Sequence, residues 1–416
     1  MRLASLPGTV HLTYCTNIHA GESWDEIRAS LDEYLPVIKA QVAADQPFGI
    51  GLRLSGKAAE SLLAPGTLAA FQAQLARLGA YVFTINAFPY GPFHAVRVKQ
   101  QVYLPDWRDD QRLAYTRNCA RILAQLLPDG MSGSISTVPG AFKTGTGSAG
   151  PRAQMAANML AAVAELVQIE RDSGKCITLA LEAEPCCFLE TVDETLAFFA
   201  DYLFAPDSCA NLARQCGVSQ DQAAALPRRH IGVCYDVCHA AVEFEDPLAS
   251  LARLRAAGIA IAKIQLSSAL RIPRMQPGLL AALQRFDDGV YLHQVVVQSH
   301  QSGQASAIQS GTIPAPAPLQ RFADLTDACA AFAQGTAEGE WRIHCHVPVF
   351  LDDLGDFAAT GFELRTLLQA LRTDCISSHL EVETYTWDVL PPSLKSGSKA
   401  DAIARELAFV IKELQA

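Results

Sequence analysis

The chain has 416 residues, of which 50% are hydrophobic and 18% are charged, and its formal net charge is −10. This composition is typical of a folded chain with a large core, not of a disordered one, and the negative charge disfavours nucleic acid as a partner. No apolar run is long enough to span a membrane and residues 1–10 lack a secretory apolar segment, so we expect a cytoplasmic protein whose 12 cysteines are free thiols.

Short runs rich in apolar and β-branched residues alternate with longer amphipathic stretches along the chain. The runs predict strands at residues 11–15, 48–54, 81–85, 132–138, 177–183, 230–236, 259–266, 341–347 and 375–383, with a further strand-like run at 290–298. The stretches with helical spacing lie at residues 24–43, 68–78, 112–127, 152–171 and 248–257. A repeated strand–helix order predicts a parallel sheet that is covered by helices.

The number of these units predicts the fold class, an α/β (β/α)8 TIM barrel that forms a single domain over residues 1–416. Eight units close a barrel in about 250 residues, so we place an insertion between the seventh and eighth strands, at about residues 269–340. The run at 290–298 belongs to it, the run at 341–347 is a second candidate, and the Gly-, Ser-, Ala- and Pro-rich segment 301–318 predicts a mobile loop. A doubly wound open sheet is the alternative fold, but its usual Gly-rich turn after the first strand is absent.

Polar side chains mark the ends of the later predicted strands, where a TIM barrel carries its active site. Glu182 and Glu184 lie on one face at the end of the fifth strand. Asp236 ends the sixth strand three residues before His239, and Gln265 lies at the end of the seventh. A buried free carboxylate is costly unless it is paired or binds a metal, so this pattern predicts a metal site.

Two further segments add residues of the types that bind metals. His344 and His346 share one face of the run at 341–347, and Glu381 and Glu383 share one face of the last strand. Converging carboxylate, amide and imidazole groups suit Mg²⁺, Mn²⁺, Zn²⁺ or Fe²⁺. Each pair alone is a weak signal, because a Glu at a strand end is more often a capping or ion-pairing group and a lone His-x-His is structural about half the time. Five such segments in succession indicate a divalent metal ion as cofactor.

The order of these residues resembles that of the xylose-isomerase-like TIM-barrel superfamily, which includes sugar isomerases, epimerases and the endonuclease IV type of repair enzyme. The shared order is Glu, then Asp-x-x-His, then His or Gln, then Glu, on successive late strands. The resemblance implies that Glu182, Asp236, Gln265 and Glu383 hold the metal. Glu381 remains an alternative to Glu383.

Further roles follow from position relative to these ligands. Glu184 and Glu381 are candidate proton carriers, because each lies two residues from a predicted ligand on the same face, and His239 is a candidate contact for a substrate hydroxyl. The candidate substrate-binding residues are His344, His346, Asn86, His94, Lys99, His19 and Lys263. Loop capping is an equal alternative for His19, Asn86, His94 and Lys99, and His344 and His346 could instead complete a second metal site.

A second resemblance covers nearly the whole chain. Seven segments resemble the EboE-type metabolite-traffic proteins, which are encoded with the export or processing of prenylated or aromatic secondary metabolites: residues 11–19, 21–24, 86–94, 103–107, 291–294, 344–348 and 379–387. The resemblance implies a small-molecule substrate and, as partners, other proteins of the same pathway. Barrels of this type often associate, so a homo-oligomer is also compatible with the sequence.

The function we expect is that of a metal-dependent isomerase or epimerase acting on a small hydroxy-carbonyl or related metabolite, in which a Lewis-acid metal works with carboxylates that exchange protons. Two alternatives stay open. One is a non-catalytic metabolite-binding or traffic protein on the same scaffold. The other is a multi-metal phosphodiesterase of the endonuclease IV type, against which the net charge argues because that enzyme would need a basic groove.

Overall fold

Fourteen strands form the two sheets of the computed structural model, which describes residues 1–94, 98–286, 289, 291–299, 318–388, 390, 395 and 397–416. The strands are β1 (Arg2–Leu3), β2 (Val10–Tyr14), β3 (Phe48–Arg53), β4 (Ala80–Asn86), β5 (Gly133–Thr137), β6 (Ile177–Glu182), β7 (Ile231–Asp236), β8 (Ala260–Leu266), β9 (Ala269–Ile272), β10 (Val295–Gln298), β11 (Leu319–Phe322), β12 (Glu340–His346), β13 (Ala358–Ala359) and β14 (His379–Val382).

The first sheet is an eight-stranded parallel barrel. Its order is β2-β14-β8-β7-β6-β5-β4-β3, and β1 adds an antiparallel edge to β2. The ring closes between β2 and β3, where Cys15 forms a parallel bridge with Gly51. The Thr13 hydroxyl donates to the Gly49 carbonyl at 2.7 Å and accepts from the Gly51 N–H at 3.1 Å. The predicted (β/α)8 fold class is therefore confirmed.

Helices surround this ring, and several of them begin at a residue whose side chain caps the helix. Capping boxes pair Ser23 with Glu26 and Thr191 with Glu194. The helices are α1 (Trp24–Val42), α2 (Gly56–Leu62), α3 (Thr67–Leu78), α4 (Asp110–Leu126), α5 (Ala149–Ser173), α6 (Val192–Phe198), α7 (Pro206–Cys216), α8 (Gln220–Ala223), α9 (Ala225–His230), α10 (Val237–Val242), α11 (Pro247–Ala256), α12 (Leu280–Leu283), α13 (Leu325–Ala333), α14 (Gly361–Leu371) and α15 (Lys399–Gln415). Shorter 3₁₀ turns include Thr16–Ile18, Lys99–Tyr103 and Tyr385–Asp388.

The main core lies between the barrel and these helices. Strand residues such as Ile50 and Leu52 of β3 are fully buried, as are Leu35 and Ile38 on the inner stripe of α1. Because strands of a parallel barrel are covered on both faces, their sequences are apolar along most of their length. Polar residues are therefore conspicuous where they do occur, and many of them lie at the carboxyl ends.

The second sheet is built from the chain between β8 and β14, which confirms an insertion between the seventh and eighth barrel strands. It is antiparallel, in the order β11-β10-β12-β9-β13, and it has its own core around Leu270, Trp341 and Ile343. The sheet extends to Ala359, beyond the predicted boundary at residue 340, because β12 pairs with both β9 and β10 and β13 pairs with β9. Residues 301–317 of the predicted mobile loop lie outside the described residues.

Among the described residues, no helix is both long and apolar enough to cross a lipid bilayer.

Candidate active site

Three carboxylates meet at the carboxyl ends of the barrel strands. Glu182 ends β6, Asp236 ends β7, and Glu383 directly follows β14. One oxygen from each lies within 4.8 Å of the other two, and none of the three residues is more than 6% exposed. Parallel strands bring them together because all their carboxyl ends open on the same rim of the barrel.

The close approach of these acids shifts their proton affinities in opposite directions. Burial and the negative charge of Asp236 raise the pKa of Glu182 well above its ordinary range, and burial and Glu182 do the same to the pKa of Glu383. Burial also acts to raise the pKa of Asp236, but the imidazoles of His239 and His346 together with the hydrogen bonds from the His239 N–H and the Ser267 hydroxyl outweigh it, so the net shift is downward. A cation bound among the three carboxyl groups would therefore be favourable, because its positive charge would allow all three to be ionised.

Unpartnered polar atoms at the cluster fit such a cation. Asp236 Oδ2 and both polar atoms of the Gln265 side chain are buried without a hydrogen-bond partner among the described residues. Gln265 lies beside Asp236 in the β7–β8 ladder and beside Glu381 in the β8–β14 ladder. A buried amide without partners is costly, whereas its oxygen is a good ligand for a hard divalent ion. Glu182, Asp236, Glu383 and Gln265 thus form a suitable donor set.

Below this cluster, Lys263 and Glu381 form an ion pair that is closed to solvent. The ammonium lies 2.5 Å from Glu381 Oε2, both side chains are 0% exposed, and Lys263 also donates to Ser136 Oγ at 3.3 Å. Burial acts to lower the pKa of Lys263, but the charge of Glu381 outweighs it and raises the pKa overall. Neither residue lines the cavity described next, so the geometry favours Glu383 over Glu381 as the ligand.

A cavity of about 70 Å³ opens above the carboxylates. Its floor is polar and includes Glu182, Glu184, Glu383, His239 and His344. Its walls are mainly apolar and aromatic, from the loop after β4 and from the insertion: Phe88, Pro89, Phe93, Val98, Val102, Tyr103, Tyr291 and Leu292.

Glu184 lies on this floor as a carboxyl separate from the three-acid cluster. The Tyr103 hydroxyl donates to its Oε1 at 2.5 Å, and Gln294 Nε2 donates to the Tyr103 oxygen at 3.2 Å. Gln294 Oε1 in turn accepts from His344 Nδ1 at 2.8 Å. Burial raises the pKa of Glu184 to about 8, which leaves this carboxyl able to hold or release a proton near neutral pH.

The early strands contribute two amides to the site. Asn17 Nδ2 donates to Glu383 Oε1 at 2.6 Å, and Asn86 Nδ2 approaches the same oxygen at 3.4 Å. His94 contacts the Asn17 carbonyl at 2.7 Å through Nε2 and so braces this loop. These contacts place Asn86 in the cavity and His94 directly behind it.

Besides Lys263, two of the predicted substrate-binding residues lie elsewhere. His19 stacks on Tyr34 with ring centroids 4.1 Å apart, and its Nε2 lies 3.0 Å from the Tyr14 hydroxyl. The Lys99 ammonium lies 2.6 Å from an Asp324 oxygen of the insertion. Neither His19 nor Lys99 lines the cavity. Their contacts favour the alternative of loop capping over substrate binding.

Three imidazoles gather at one side of the floor. Asp236 caps α10 by accepting from the His239 N–H at 2.9 Å, which explains the Asp-x-x-His spacing and holds the His239 ring at the rim. His344 and His346 reach the same place from β12 of the insertion, with ring centroids 4.5 Å and 5.4 Å from that of His239. Burial lowers the pKa of His239 to about 4.

Several residues of the site were not singled out from the sequence. Asn17, Gln294 and Ser267 each carry a hydrogen bond to a site residue, Ser267 through its hydroxyl to Asp236 Oδ1 at 2.8 Å. Asn17 and Gln294 do fall inside segments that resemble EboE-type proteins, which was the one available signal. Ser267 follows Gln265 by two residues and shares its face of the strand end.

No family model matches the chain and no curated protein matches it in sequence, so the resemblance to EboE-type proteins remains a prediction. Several solved structures do resemble it in fold. A xylose isomerase-like TIM-barrel protein from Mycobacterium smegmatis in complex with magnesium has a TM-score of 0.48 and 11% identity, covering 97% of this chain and 96% of that one.

The probable 3-DHS dehydratase AsbF of Bacillus anthracis has a TM-score of 0.44 at 12% identity, covering 96% of this chain and 98% of its own. The 3-keto-D-glucoside 4-epimerase YcjR of E. coli has a TM-score of 0.41 at 12% identity, covering 97% and 99%. Solved structures similar to this chain thus include a metal-bound xylose isomerase-like barrel, a dehydratase and a sugar epimerase. All three TM-scores lie below 0.5, so the assignment to the TIM-barrel class rests on the strand order of the chain itself.

Proposed function

We propose that this protein is a metal-dependent isomerase or epimerase of a small hydroxy-carbonyl compound. One observation carries the proposal: three buried carboxylates lie within 4.8 Å of one another, two of them at the floor of a cavity that also holds a fourth carboxyl with a separate hydrogen-bond partner. Three acids fit a divalent ion, and the fourth is free for proton transfer. The interconversion of hydroxy-carbonyl compounds requires both a Lewis acid at the carbonyl and a group that transfers a proton.

The ligands would be Glu182, Asp236, Gln265 and Glu383. A divalent ion bound there would supply Lewis-acid polarisation of a substrate carbonyl. Asn17 and Asn86 hold the Glu383 carboxylate in place through its Oε1. Because both amide groups donate hydrogen bonds to Glu383 Oε1, they hold the Glu383 carboxylate oriented toward the cluster before any ligand binds.

Glu184 would move the proton. Its Oε1 is occupied by the Tyr103 hydroxyl, so Oε2 is the oxygen available to a substrate carbon or hydroxyl. The Tyr103–Gln294–His344 chain of hydrogen bonds fixes the Glu184 side chain, and a positioned base of matched pKa is the effective kind. His239 lines the cavity and would contact a substrate hydroxyl.

The cavity also restricts the substrate class. Its polar floor suits a hydroxy-carbonyl unit, whereas Phe88, Phe93, Tyr291 and Leu292 form walls that suit an apolar or aromatic portion. We therefore infer a substrate with one oxygenated end and one apolar end. This agrees with the aromatic or prenylated metabolite pathway that the sequence resemblance implies, and other proteins of such a pathway would be the partners.

The test is deuterium exchange in D₂O, followed by mass spectrometry, with a panel of ketoses and aryl-substituted 2-hydroxy ketones. The Mg²⁺-loaded protein should catalyse the incorporation of deuterium into one of these compounds, at the carbon next to its carbonyl. Glu184→Gln should lower the exchange rate by about 10²–10⁴-fold, which is the usual contribution of a positioned acid or base, while its metal content stays unchanged. Glu243→Gln is the matched control, because Glu243 is equally buried and burial also raises its pKa to about 8, but it lies outside the cavity.

Binding of a panel compound by the metal-loaded protein without any exchange would overturn the catalytic proposal. It would instead favour the metabolite-binding protein that the sequence leaves open. Equal loss of exchange in Glu184→Gln and Glu243→Gln would also count against Glu184, because it would indicate general damage to the fold.

A further inference from the structure

Three side chains of the types that bind metals meet at the amino ends of β6 and β7, at the opposite end of the barrel from the three-acid cluster. Glu170 lies near the end of α5, Cys176 directly precedes β6, and His230 ends α9 immediately before β7. One carboxylate oxygen, the thiol sulfur and one ring nitrogen all lie within 4.8 Å of one another. The six residues of β6 separate this group from Glu182 by roughly 20 Å.

The backbone brings these three segments together. Gly174 caps the end of α5 with a φ of 72°, a left-handed conformation that favours glycine, and its N–H donates to the Glu170 carbonyl at 2.8 Å. This turn leads the chain back, so that Cys176 returns beside Glu170. The Thr178 hydroxyl of β6 donates to the Arg229 carbonyl at 3.1 Å and so holds the end of α9 against the start of β6.

The hydrogen bonds of His230 leave one ring nitrogen facing this group. His230 Nδ1 lies 2.9 Å from the Ile177 carbonyl oxygen, which only accepts, so Nδ1 carries the proton. Burial lowers the pKa of His230, and the neutral ring then has a lone pair on Nε2. Nε2 is buried and makes no hydrogen bond among the described residues, although Glu170 Oε2 lies only 3.1 Å away. Two atoms that both present lone pairs repel each other at this distance unless a cation lies between them.

A zinc-type ion fits between these atoms. At zinc–nitrogen distances of about 2.0–2.1 Å and zinc–oxygen distances of about 2.0–2.2 Å, donors separated by 3.1 Å subtend about 98° at the ion, which is near the tetrahedral angle. Cys176 adds a sulfur donor, and a sulfur, nitrogen and oxygen set favours Zn²⁺ or Co²⁺ over Mg²⁺ or Ca²⁺. Glu170 and Cys176 are half-buried, so solvent reaches the fourth position.

Arg229 pairs with Glu170 and acts against cation binding. Its Nε lies 3.1 Å from Oε1 and 2.9 Å from Oε2 of that carboxylate, and its Nη2 also contacts Oε1. The Arg229 side chain is 55% exposed, so solvent screens its charge. Each carboxylate oxygen has two lone pairs, so Oε2 has one left for a metal ion. Arg229 therefore lowers the affinity of this group for a cation without taking its place.

We propose that Glu170, Cys176 and His230 bind a zinc-type divalent ion, with water as the fourth ligand. The ion would have a structural role, because it would join the end of α5 to the starts of β6 and β7 at the end of the barrel that lies away from the cavity. This proposal goes beyond the proposed function and does not depend on a metal ion at the three-acid cluster.

The test is titration of the reduced, metal-free protein with Co²⁺, because a thiolate ligand gives a sulfur-to-cobalt charge-transfer absorption in the near ultraviolet. In the wild type this absorption should saturate at one equivalent, and Cys176→Ser should abolish it. His230→Gln and Glu170→Gln should each weaken the binding of this ion by about 100-fold or more, since even a hydrogen-bond partner of a ligand contributes about 10–100-fold. Arg229→Gln should strengthen the binding by about 10-fold, because it removes a nearby positive charge.

Two controls separate this site from other thiols and from the active site. Cys375→Ser removes an exposed thiol that precedes β14 at the same end of the barrel, and Glu182→Gln removes a ligand of the three-acid cluster. Both variants should keep the charge-transfer absorption, so a failure of the proposed function would leave this result unchanged. No such absorption in the wild type, or equal absorption in Cys176→Ser, would overturn the site. Its loss in Cys375→Ser or in Glu182→Gln would overturn the site as well.

Discussion

Lys263 and Glu381 show how a single pair of charges can be placed in a barrel core without serving as a site. Both side chains are fully buried, at an ammonium–carboxylate distance of 2.5 Å. Two buried charges are tolerable together, because each supplies the counter-charge that water would otherwise provide. From the sequence both were candidates for roles at the site, and only their mutual distance indicates a structural role instead.

Lys263→Met should therefore destabilise the protein strongly, by about 3–5 kcal/mol, because it leaves the Glu381 carboxylate buried without a counter-charge. The double variant Lys263→Met/Glu381→Met should recover most of that loss, since it removes both charges. Urea unfolding followed by circular dichroism measures both free energies. If the single and the double variant lost equal stability, the ion pair would not be the cause.

The sequence was sufficient to predict which acidic residues at the strand ends come together in the site. Glu182, Asp236 and Glu383 converge because parallel strands share one rim, which the pattern of strands and helices already implies. The hydrogen bond from Asn17 to Glu383 joins residues 366 positions apart, and nothing local in either segment encodes it. Pairings of this kind depend on the parallel pairing of β2 with β14, which a sequence pattern does not specify.

At the scale of elements, the long barrel strands and helices were predicted more reliably than the short pieces. The strand predicted at residues 375–383 is only His379–Val382, and the one predicted at 290–298 is only Val295–Gln298. The strands β9, β11 and β13 have two to four residues and owe their conformation to pairing within the second sheet. Such strands carry too few residues for periodicity to reveal them.

Helix α15 was also missed, and one of its residues joins three parts of the molecule. Glu406 Oε1 accepts from the Val349 N–H, after β12, at 3.1 Å and from the Thr384 hydroxyl, after β14, at 2.6 Å. Burial raises the pKa of Glu406 from its ordinary 4.5 to about 7. The side chain therefore docks α15 most favourably when it is protonated.

This shift predicts a pH dependence of stability. Because the folded state binds the Glu406 proton more tightly than the unfolded state, the contribution of this residue is full below about pH 4.5 and is lost as the pH rises through about 7. Glu406→Gln mimics the protonated form, so it should match the wild type at pH 4.5 and exceed it at pH 8 by up to about 3 kcal/mol. Urea unfolding at the two pH values measures the difference, and a difference that does not change with pH would count against this assignment.

At the scale of the whole molecule, the insertion is more than a surface addition to the barrel. It contributes Tyr291 and Leu292 to the cavity wall, Gln294 to the hydrogen bonds behind Glu184, and His344 to the floor. The His346 ring lies beside that of His344, with centroids 5.4 Å apart. The sequence placed this segment between the seventh and eighth barrel strands but did not indicate which way it folds. Its return across the rim is a tertiary arrangement, fixed by contacts such as that of Arg342 with the Ala241 carbonyl at 2.7 Å.

The barrel rim and the insertion together surround one acidic centre, so the central claim is that this centre binds a divalent ion. The direct measurement is the metal content of the purified protein and of Glu182→Gln after dialysis against Mn²⁺ and gel filtration, with Glu406→Gln as a control for a buried acid outside the cavity. We predict at least one retained ion per chain in the wild type and in Glu406→Gln, and one fewer in Glu182→Gln. A folded wild-type protein that retains no ion, or a Glu182→Gln variant that retains as much as the wild type, would contradict it.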